Sequence, residues 1–422
     1  MNLHLTELEP AADAAAQIDQ YFRQHVNSGY ARLASLMNLP IEHSSQGVYI
    51  YDSQGRQYLD AGGYGVFFLG HGHPVVVDAV TRQLQQNALA SKLLLNPQQA
   101  LAAQALAARC PGNLDYVFFC NSGAEATEAG LKLARLNGCR RTLSTLGGFH
   151  GKTLGALAVT GRESYREPFS GLLSESAFVP FGDSAALEQQ LLASPEKACV
   201  ILEPIQAEAG VILPPPGYLT RVRELCDQYG AVLIIDEIQS GLGRTGHWWA
   251  CDQEQVVPDI MLVGKSLSGG CVPVSAMVAS ASIYAPFNRN PTVHTSTFGA
   301  NPLAMAAVQA TLQVMVQEDL VARARLLGQD LHARFSALLQ RMGLAERVTL
   351  RSAGLLLGFE FSDASIAANM VMALIEQHII VCHSLNDHRV VRLTPSPLLT
   401  AQDCNWLIEG FAQALTTSVS PL

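Results

Sequence analysis

AVLIIDE, Ala231–Glu237, is the stretch on which the reading of the fold turns. Five apolar residues in a row followed by two acids describe a strand buried on both faces, its end carrying charge into a cleft. The pattern recurs at YVFFC (116–120), RTLSTLG (141–147), ALAVTG (156–161), CVILEP (199–204) and DIMLVGK (259–265). Helical segments such as AEATEAGLKLARL and YLTRVRELCDQYG lie between several of these runs. Continuously apolar strands separated by helices predict an α/β fold with a mostly parallel sheet covered on both faces. In such sheets functional groups gather at the carboxyl ends of the strands. Those ends are Asn121-Ser122-Gly123, Phe149-His150-Gly151-Lys152, Glu203, Asp236 and Lys265.

Working outward, residues 11–39 read as a helical entry, with Ile18, Phe22 and Val26 spaced for one face. GVYIYDSQGRQYLD (47–60) alternates around a Ser-Gln-Gly turn and predicts a hairpin. A glycine-rich loop, AGGYGVFFLGHGHP, precedes the helix HPVVVDAVTRQLQQ. Beyond about 305 the texture changes to a long Ala/Leu/Arg/Gln helix, a strand pair near LLLGFEF (355–361), another helix and VVRLTPSP (390–397). The expected organisation is a large domain over 61–304 and a smaller α+β domain over 305–422, with 1–60 contributing to the smaller one.

The 422 residues carry a formal net charge of −9 and no basic run, which argues against nucleic-acid partners. Hydrophobic content of 49 % with 15 % charged residues indicates a well-packed globular chain. No apolar run reaches membrane-spanning length, and MNLHLTELEP has no basic-then-apolar signal pattern. Nine scattered cysteines without a C-x-x-C pair read as reduced thiols of a cytoplasmic protein.

LGGFHGKT (Leu146–Thr153), with AVLIIDE downstream, raises the question of an ATP-binding loop. Such a loop needs glycine five places before its Gly-Lys, and that place is Leu146. The following LGALAVTG also reads as β-like, where a helix should begin. The nucleotide reading fails.

Lysine is scarce: five (92, 132, 152, 197, 265) against 22 arginines. Lys132 follows Glu128 by one helical turn, the spacing of a surface pair. Lys265 instead ends an apolar strand and opens SLSGG, where a desolvated amine would become a nucleophile towards carbonyls. Ser122 and Gly123 lie where a helix N-terminus would offer N–H groups to a phosphate. Asp236 can keep a pyridine nitrogen protonated, Gln239 can bond a ring hydroxyl, and Phe149 or His150 can stack on a ring. Together these meet the needs of pyridoxal 5'-phosphate. His71 and His73, on opposite faces of a glycine-rich turn, are expected to shape the site entrance rather than hold a metal.

The sequence resembles the class III aminotransferases of fold type I over roughly 30–415. The resemblance runs through GHGHPVVVDAV, NSGAEATEAGLKLAR, GGFHGKTLGALAVTG, ILEPIQAEAGVILPPPGYL, LIIDEIQSGLGRTG, PDIMLVGKSLSGG, HTSTFGANPLA and VVRLTPSP. Within the family it is most similar to the putrescine (diamine) aminotransferases. The resemblance implies Lys265 as the Schiff-base and proton-transfer lysine, Asp236 as partner of the ring nitrogen and Gln239 of the ring oxygen. It implies Gly123 and Ala124 at the phosphate and Phe149 on the ring. Thr297 matches a threonine that reaches the phosphate from the other subunit of a homodimer, which places the site at an interface. Arg392 matches the arginine that takes the carboxylate of a 2-oxo acid such as 2-oxoglutarate, and Glu208 the glutamate that masks it.

Lys152 stands where many relatives carry arginine, and replacing a bidentate fork by a point charge weakens a carboxylate clamp. Alanine at 207 and LSGG after Lys265 narrow the pocket slightly. The expected reaction moves an amino group from a primary amine to a 2-oxo acid, giving an aldehyde and an amino acid. A biosynthetic alternative aminates a bulky aldehyde admitted past Tyr64, Phe67 and Phe68. An aminomutase, needing no 2-oxo acid, is disfavoured by Glu208 beside Arg392.

Overall fold

Seven strands form the central sheet of the computed structural model, which describes residues 12–419. They are β1 (Tyr116–Cys120), β2 (Arg141–Thr145), β3 (Ala177–Val179), β4 (Ala198–Leu202), β5 (Val232–Asp236), β6 (Ile260–Val263) and β7 (Ser275–Ala279). Their spatial order is β1-β7-β6-β5-β4-β2-β3. All neighbours are parallel except β7, which runs antiparallel to both β1 and β6. Every residue of β4, β5, β6 and β7 is buried, as continuously apolar strands covered on both faces must be. The mixed α/β fold with its mostly parallel sheet is therefore as expected, while β3 and β7 are additions to the sequence reading.

One of the six apolar runs is not a strand. ALAVTG lies in a short helix, Leu154–Val159. The reason is remote in sequence: the Glu128 carboxylate accepts from Thr153 Oγ1 at 2.7 Å, Gly155 N at 2.8 Å and Ala156 N at 3.2 Å. A carboxylate thus satisfies the N–H groups that open the helix. The expected Glu128–Lys132 pair does not form for the same reason, and the Lys132 amine lies 3.3 Å from His294 Nδ1 instead.

The hairpin forms as expected, from Tyr49–Asp52 and Gln57–Asp60, with Glu42–Gln46 added at its edge. Its inner strand pairs in parallel with Ile379–Ile380 near the other end of the chain. Tyr49 Oη reinforces this junction by donating to Asp403 Oδ1 at 2.6 Å. A third sheet joins Thr349–Ala353, Leu356–Glu360, Val390–Leu393 and Cys382–His383 in that order.

The N-terminal helices, Ala12–Tyr21 and Ser28–Leu36, flank a π-helical turn at Phe22–Val26. Among the described residues, little of their apolar spacing meets a core. Val26 and Leu36 are exposed, Ile18 and Phe22 only half-buried, and Ala31 is the buried residue of the second helix.

Candidate active site

The site lies at the carboxyl ends of β4, β5 and β6. Asp236 closes β5 and turns into a cavity, whereas Glu237 turns away, its carboxylate accepting from Ser240 Oγ and Cys251 N. Burial pushes the Glu237 carboxyl up to about 6, with those contacts opposing it. Asp236 is buried and doubly held: His150 Nδ1 donates to Oδ2 at 2.7 Å, and Ile238 N to Oδ1 at 3.0 Å. His150 is thus a partner of the acid rather than a stacking ring. Nothing local in the sequence announces a pair 86 positions apart.

Lys265 begins a single 3₁₀ turn just past β6 with φ 45°, a left-handed conformation unusual for a residue with a side chain. Its amine donates to the Tyr64 carbonyl at 2.9 Å. Tyr64 is itself left-handed, with φ 50°, between two left-handed glycines. Gly65 cannot be replaced without disturbance, since a Cβ there would meet Gln239 Nε2 at 2.6 Å. Its carbonyl is gripped by Ser266 Oγ at 3.2 Å and Arg244 Nη2 at 3.3 Å. Burial lowers the Lys265 amine to about 8, with the Arg392 charge adding to the fall and Glu208, Cys382 and Asp236 opposing it. An amine so tuned can both take up and release a proton near neutrality.

The cavity, of about 230 Å³, is lined by Ala124, Phe149, His150, Glu203, Ala207, Glu208, Asp236, Ile238, Gln239 and Lys265 among others. A second cavity meets it at Gly123 and Lys265 and is bounded by Asn121, Ser122 and the 268–274 loop. There the 14-residue helix Gly123–Leu136 begins, with Ser122 Oγ accepting from Glu125 N at 3.3 Å. A ring-sized space thus adjoins a helix N-terminus, and Lys265 stands where they meet.

Above the cavity, Glu208 Oε1 lies 2.7 Å from Arg392 Nη1, both side chains buried. Glu208 Oε2 accepts from Leu385 N at 2.9 Å. Burial pushes the Glu208 carboxyl up, but Arg392, Lys265 and the Leu385 N–H prevail and hold it below the usual range. Arg392 Nη2 also donates to Cys382 Sγ at 3.6 Å, and its Nε has no partner among the described residues.

The remaining sequence-predicted residues are not gathered into the cavity. Tyr64 is 57 % exposed at its mouth. Phe68 is fully buried and Phe67 stacks on His71 at 3.8 Å, so neither borders an entrance as expected. His71 and His73 are buried as well, bonded to Asp60 at 2.8 Å and Glu318 at 3.2 Å; they brace the loop and do not shape the mouth. Lys152 is exposed, its amine 4.3 Å from the Tyr165 ring centroid. Thr297 is exposed on a loop that Lys92 ties down through Gly299 O. Among the described residues no cluster of three or more His, Cys, Asp or Glu side chains is arranged to hold a metal.

The sequence matches the profile of the family described as "Aminotransferase class-III" over residues 30–415. The chain belongs to the class III aminotransferases. Among solved structures it is similar to the ornithine aminotransferase of Toxoplasma gondii, at 31 % identity over 98 % of this chain and 95 % of that one, TM-score 0.87. The adenosylmethionine-8-amino-7-oxononanoate aminotransferase of Methanocaldococcus jannaschii matches at 25 % identity over 96 % and 100 %, TM-score 0.88. An engineered thermostable omega transaminase matches at 26 % identity over 92 % and 95 %, TM-score 0.85. Enzymes of this family use pyridoxal phosphate, and the residues here fit it. Glu203 Oε2, both amide atoms of Gln239 and His150 Nε2 are buried with no partner among the described residues, and Glu203, Gln239 and His150 all line the cavity that holds the Lys265 amine.

Proposed function

We infer that this aminotransferase moves an amino group from a diamine such as putrescine to a 2-oxo acid such as 2-oxoglutarate, giving an aldehyde and glutamate. One observation carries the reading: the buried Glu208–Arg392 pair at 2.7 Å. While the pair is closed, the arginine offers no site to a carboxylate, which suits an amine that lacks one. When Glu208 swings off, Arg392 is free to take the carboxylate of a 2-oxo acid. Lys152 supports the same preference, since its amine faces an aromatic ring and presents no bidentate fork.

Bound pyridoxal phosphate would supply an electron sink and a temporary carrier for the amino group. In this reading Lys265 would hold it covalently, and its Nζ would take up a proton from the substrate carbon and give it up again. Asp236, fixed by His150, would serve the ring nitrogen, and Gln239 the ring oxygen. The N–H groups of Gly123 and Ala124, beside Ser122, would receive the phosphate, and Phe149 would cover the ring. Tyr64 guards the mouth.

The reading includes a homodimer in which Thr297 completes the partner's phosphate site. Support comes from a run of bare leucines, Leu93 at 92 % exposure, Leu94 at 80 % and Leu95 beyond them, on the segment Lys92 ties to the Thr297 loop. Sedimentation should give twice the 45.3 kDa chain mass, and Leu94→Asp with Leu95→Asp should halve it. The domain division at 60/61 and 304/305 belongs to the same reading, supported by the sheet that the first hairpin shares with Ile379–Ile380. A cytoplasmic location accords with nine free cysteines. Among the described residues no helix is long and apolar enough to cross a membrane.

The deciding experiment is an amine panel with 2-oxoglutarate, read as glutamate formed, alongside Lys265→Ala. Turnover of putrescine that vanishes in the variant supports the reading. Glutamate formed only from amines bearing a distal carboxylate would overturn the diamine assignment.

A further inference from the structure

Three carboxyl groups line the cavity, and two of them have a ring or guanidinium partner: His150 for Asp236 and Arg392 for Glu208. Glu203 has neither. Among the described residues its Oε1 accepts from Phe149 N alone, at 3.2 Å, and its Oε2 is buried with no partner. An ionised carboxylate in that position, walled off from water and facing two others, is costly. Keeping a proton is the inexpensive alternative. Burial first, then the Asp236 and Glu208 charges, push the Glu203 carboxyl well above the usual carboxylate range, against the opposing Phe149 N–H and Lys265 amine. Because Oε1 is already occupied as an acceptor, the proton resides on Oε2, which makes that atom a donor. Gln239, lining the same cavity, has an amide N–H₂ that is likewise unpaired. Two unpaired donors, with the Gln239 amide oxygen the unpaired acceptor beside them, are placed to serve an oxygen bearing lone pairs.

We propose that Glu203 stands in the cavity as a carboxylic acid whose Oε2–H, together with the Gln239 amide, donates to the ring oxygen of bound pyridoxal phosphate and sets the pH at which the bound cofactor loses its proton. The inference rests on the reading above that this cavity receives the cofactor ring. Glu203 acts on the cofactor as a positioning and tuning group and takes no part in moving the substrate proton. A donor to the ring oxygen stabilises its deprotonated form, so losing the donor raises the pH of deprotonation. An ionised Glu203 would act the other way, because removing a negative neighbour lowers that pH.

The test titrates the absorbance of the cofactor-loaded protein against pH for the wild type, Glu203→Gln and Glu203→Met. The amide preserves a neutral donor, so E203Q should stay close to the wild-type midpoint. E203M should move it upward by about one pH unit, a tenfold change in proton affinity. A difference infrared spectrum of the cofactor-free wild type against E203Q should show a protonated carboxyl carbonyl band lost in the variant. That spectrum decides the protonation state even where E203M fails to fold. A downward shift in E203Q, an unmoved midpoint in E203M, or no such band overturns the role of Glu203 while leaving the site assignment standing. A wild type that takes up no cofactor at Lys265 overturns both together.

Discussion

Glu208→Gln separates the two halves of the reaction. The replaced carboxylate lies 2.7 Å from a guanidinium and also accepts from Leu385 N. A hydrogen bond to a charged group is worth about 1.5–3 kcal/mol, and a neutral one roughly half as much. The amide can retain the Leu385 contact but gives up the charge, so opening the gate becomes easier by about 1–2 kcal/mol. That corresponds to a factor of about 5–30. The KM for 2-oxoglutarate should therefore fall by that factor, since the acid no longer competes with an internal carboxylate. The KM for putrescine should rise, because its ammonium ends then approach an unmasked cation. Rapid-mixing measurement of each half-reaction in isolation reads the two changes separately. Stability supplies an independent check, because the buried guanidinium loses its counter-charge and the variant should be less stable by a similar amount, about 1–2 kcal/mol. Part of that loss should return when succinate occupies the arginine, so succinate should raise the Tm of the variant more than that of the wild type. The pH dependence has a definite sign. The Glu208 carboxyl is held below its ordinary value in the folded chain, so its contribution is complete above about pH 4.3 and disappears as pH falls through the folded value. The Tm gap between wild type and variant should thus be level from pH 8 to 5 and close in acid. Equal effects on both half-reactions, or equal stabilisation of both proteins by succinate, would refute the gate.

In the cofactor-free protein, Lys265 should react with an amine-acylating reagent with a midpoint near pH 8, read by peptide mass spectrometry; a midpoint near 10 would contradict its burial. Removing the Glu208 charge, which raises this value, should shift the midpoint further down. Gly65→Ala places a side chain at φ 76° and drives a Cβ into Gln239, costing about 1–3 kcal/mol of stability and weakening cofactor affinity, measurable by thermal unfolding and equilibrium binding. Lys152→Arg introduces a bidentate fork beside the Tyr165 ring and should raise kcat/KM for amines with a distal carboxylate about tenfold relative to putrescine. An unchanged ratio would remove Lys152 from specificity.

The sequence exposed the parts of this protein that are decided locally. A run such as VLIID can satisfy itself only as a buried strand, and the acid at its end has only the cleft to face. The hairpin around Ser53-Gln54-Gly55 was legible for the same reason. What escaped was fixed by distant partners. Leu154–Val159 is helical because Glu128, on another helix, supplies acceptors for its opening N–H groups. His150 became the holder of Asp236, and His71 and His73 became braces, through partners that no spacing rule connects. Strand β7 is antiparallel in an otherwise parallel sheet, and a five-residue SAMVA carries no mark of direction. At the candidate site, Gly123, Glu203, Asp236 and Lys265 lie at strand ends that the sequence marked, with Gln239 three residues past one of them, while the solitary state of Glu203 required knowing what surrounds it.

Tyr49 and Asp403 are bonded across 354 positions, and beside them the first hairpin shares a sheet with Ile379–Ile380. During synthesis, at about 5–20 residues per second, that hairpin leaves the ribosome on the order of 20–70 s before its partners exist. Throughout that interval it presents an open strand edge, the kind of surface that recruits wrong neighbours. Newborn chains should therefore depend on holding chaperones until the last tenth is made, and truncations that remove the closing helix should accumulate as insoluble product, however intact their catalytic half.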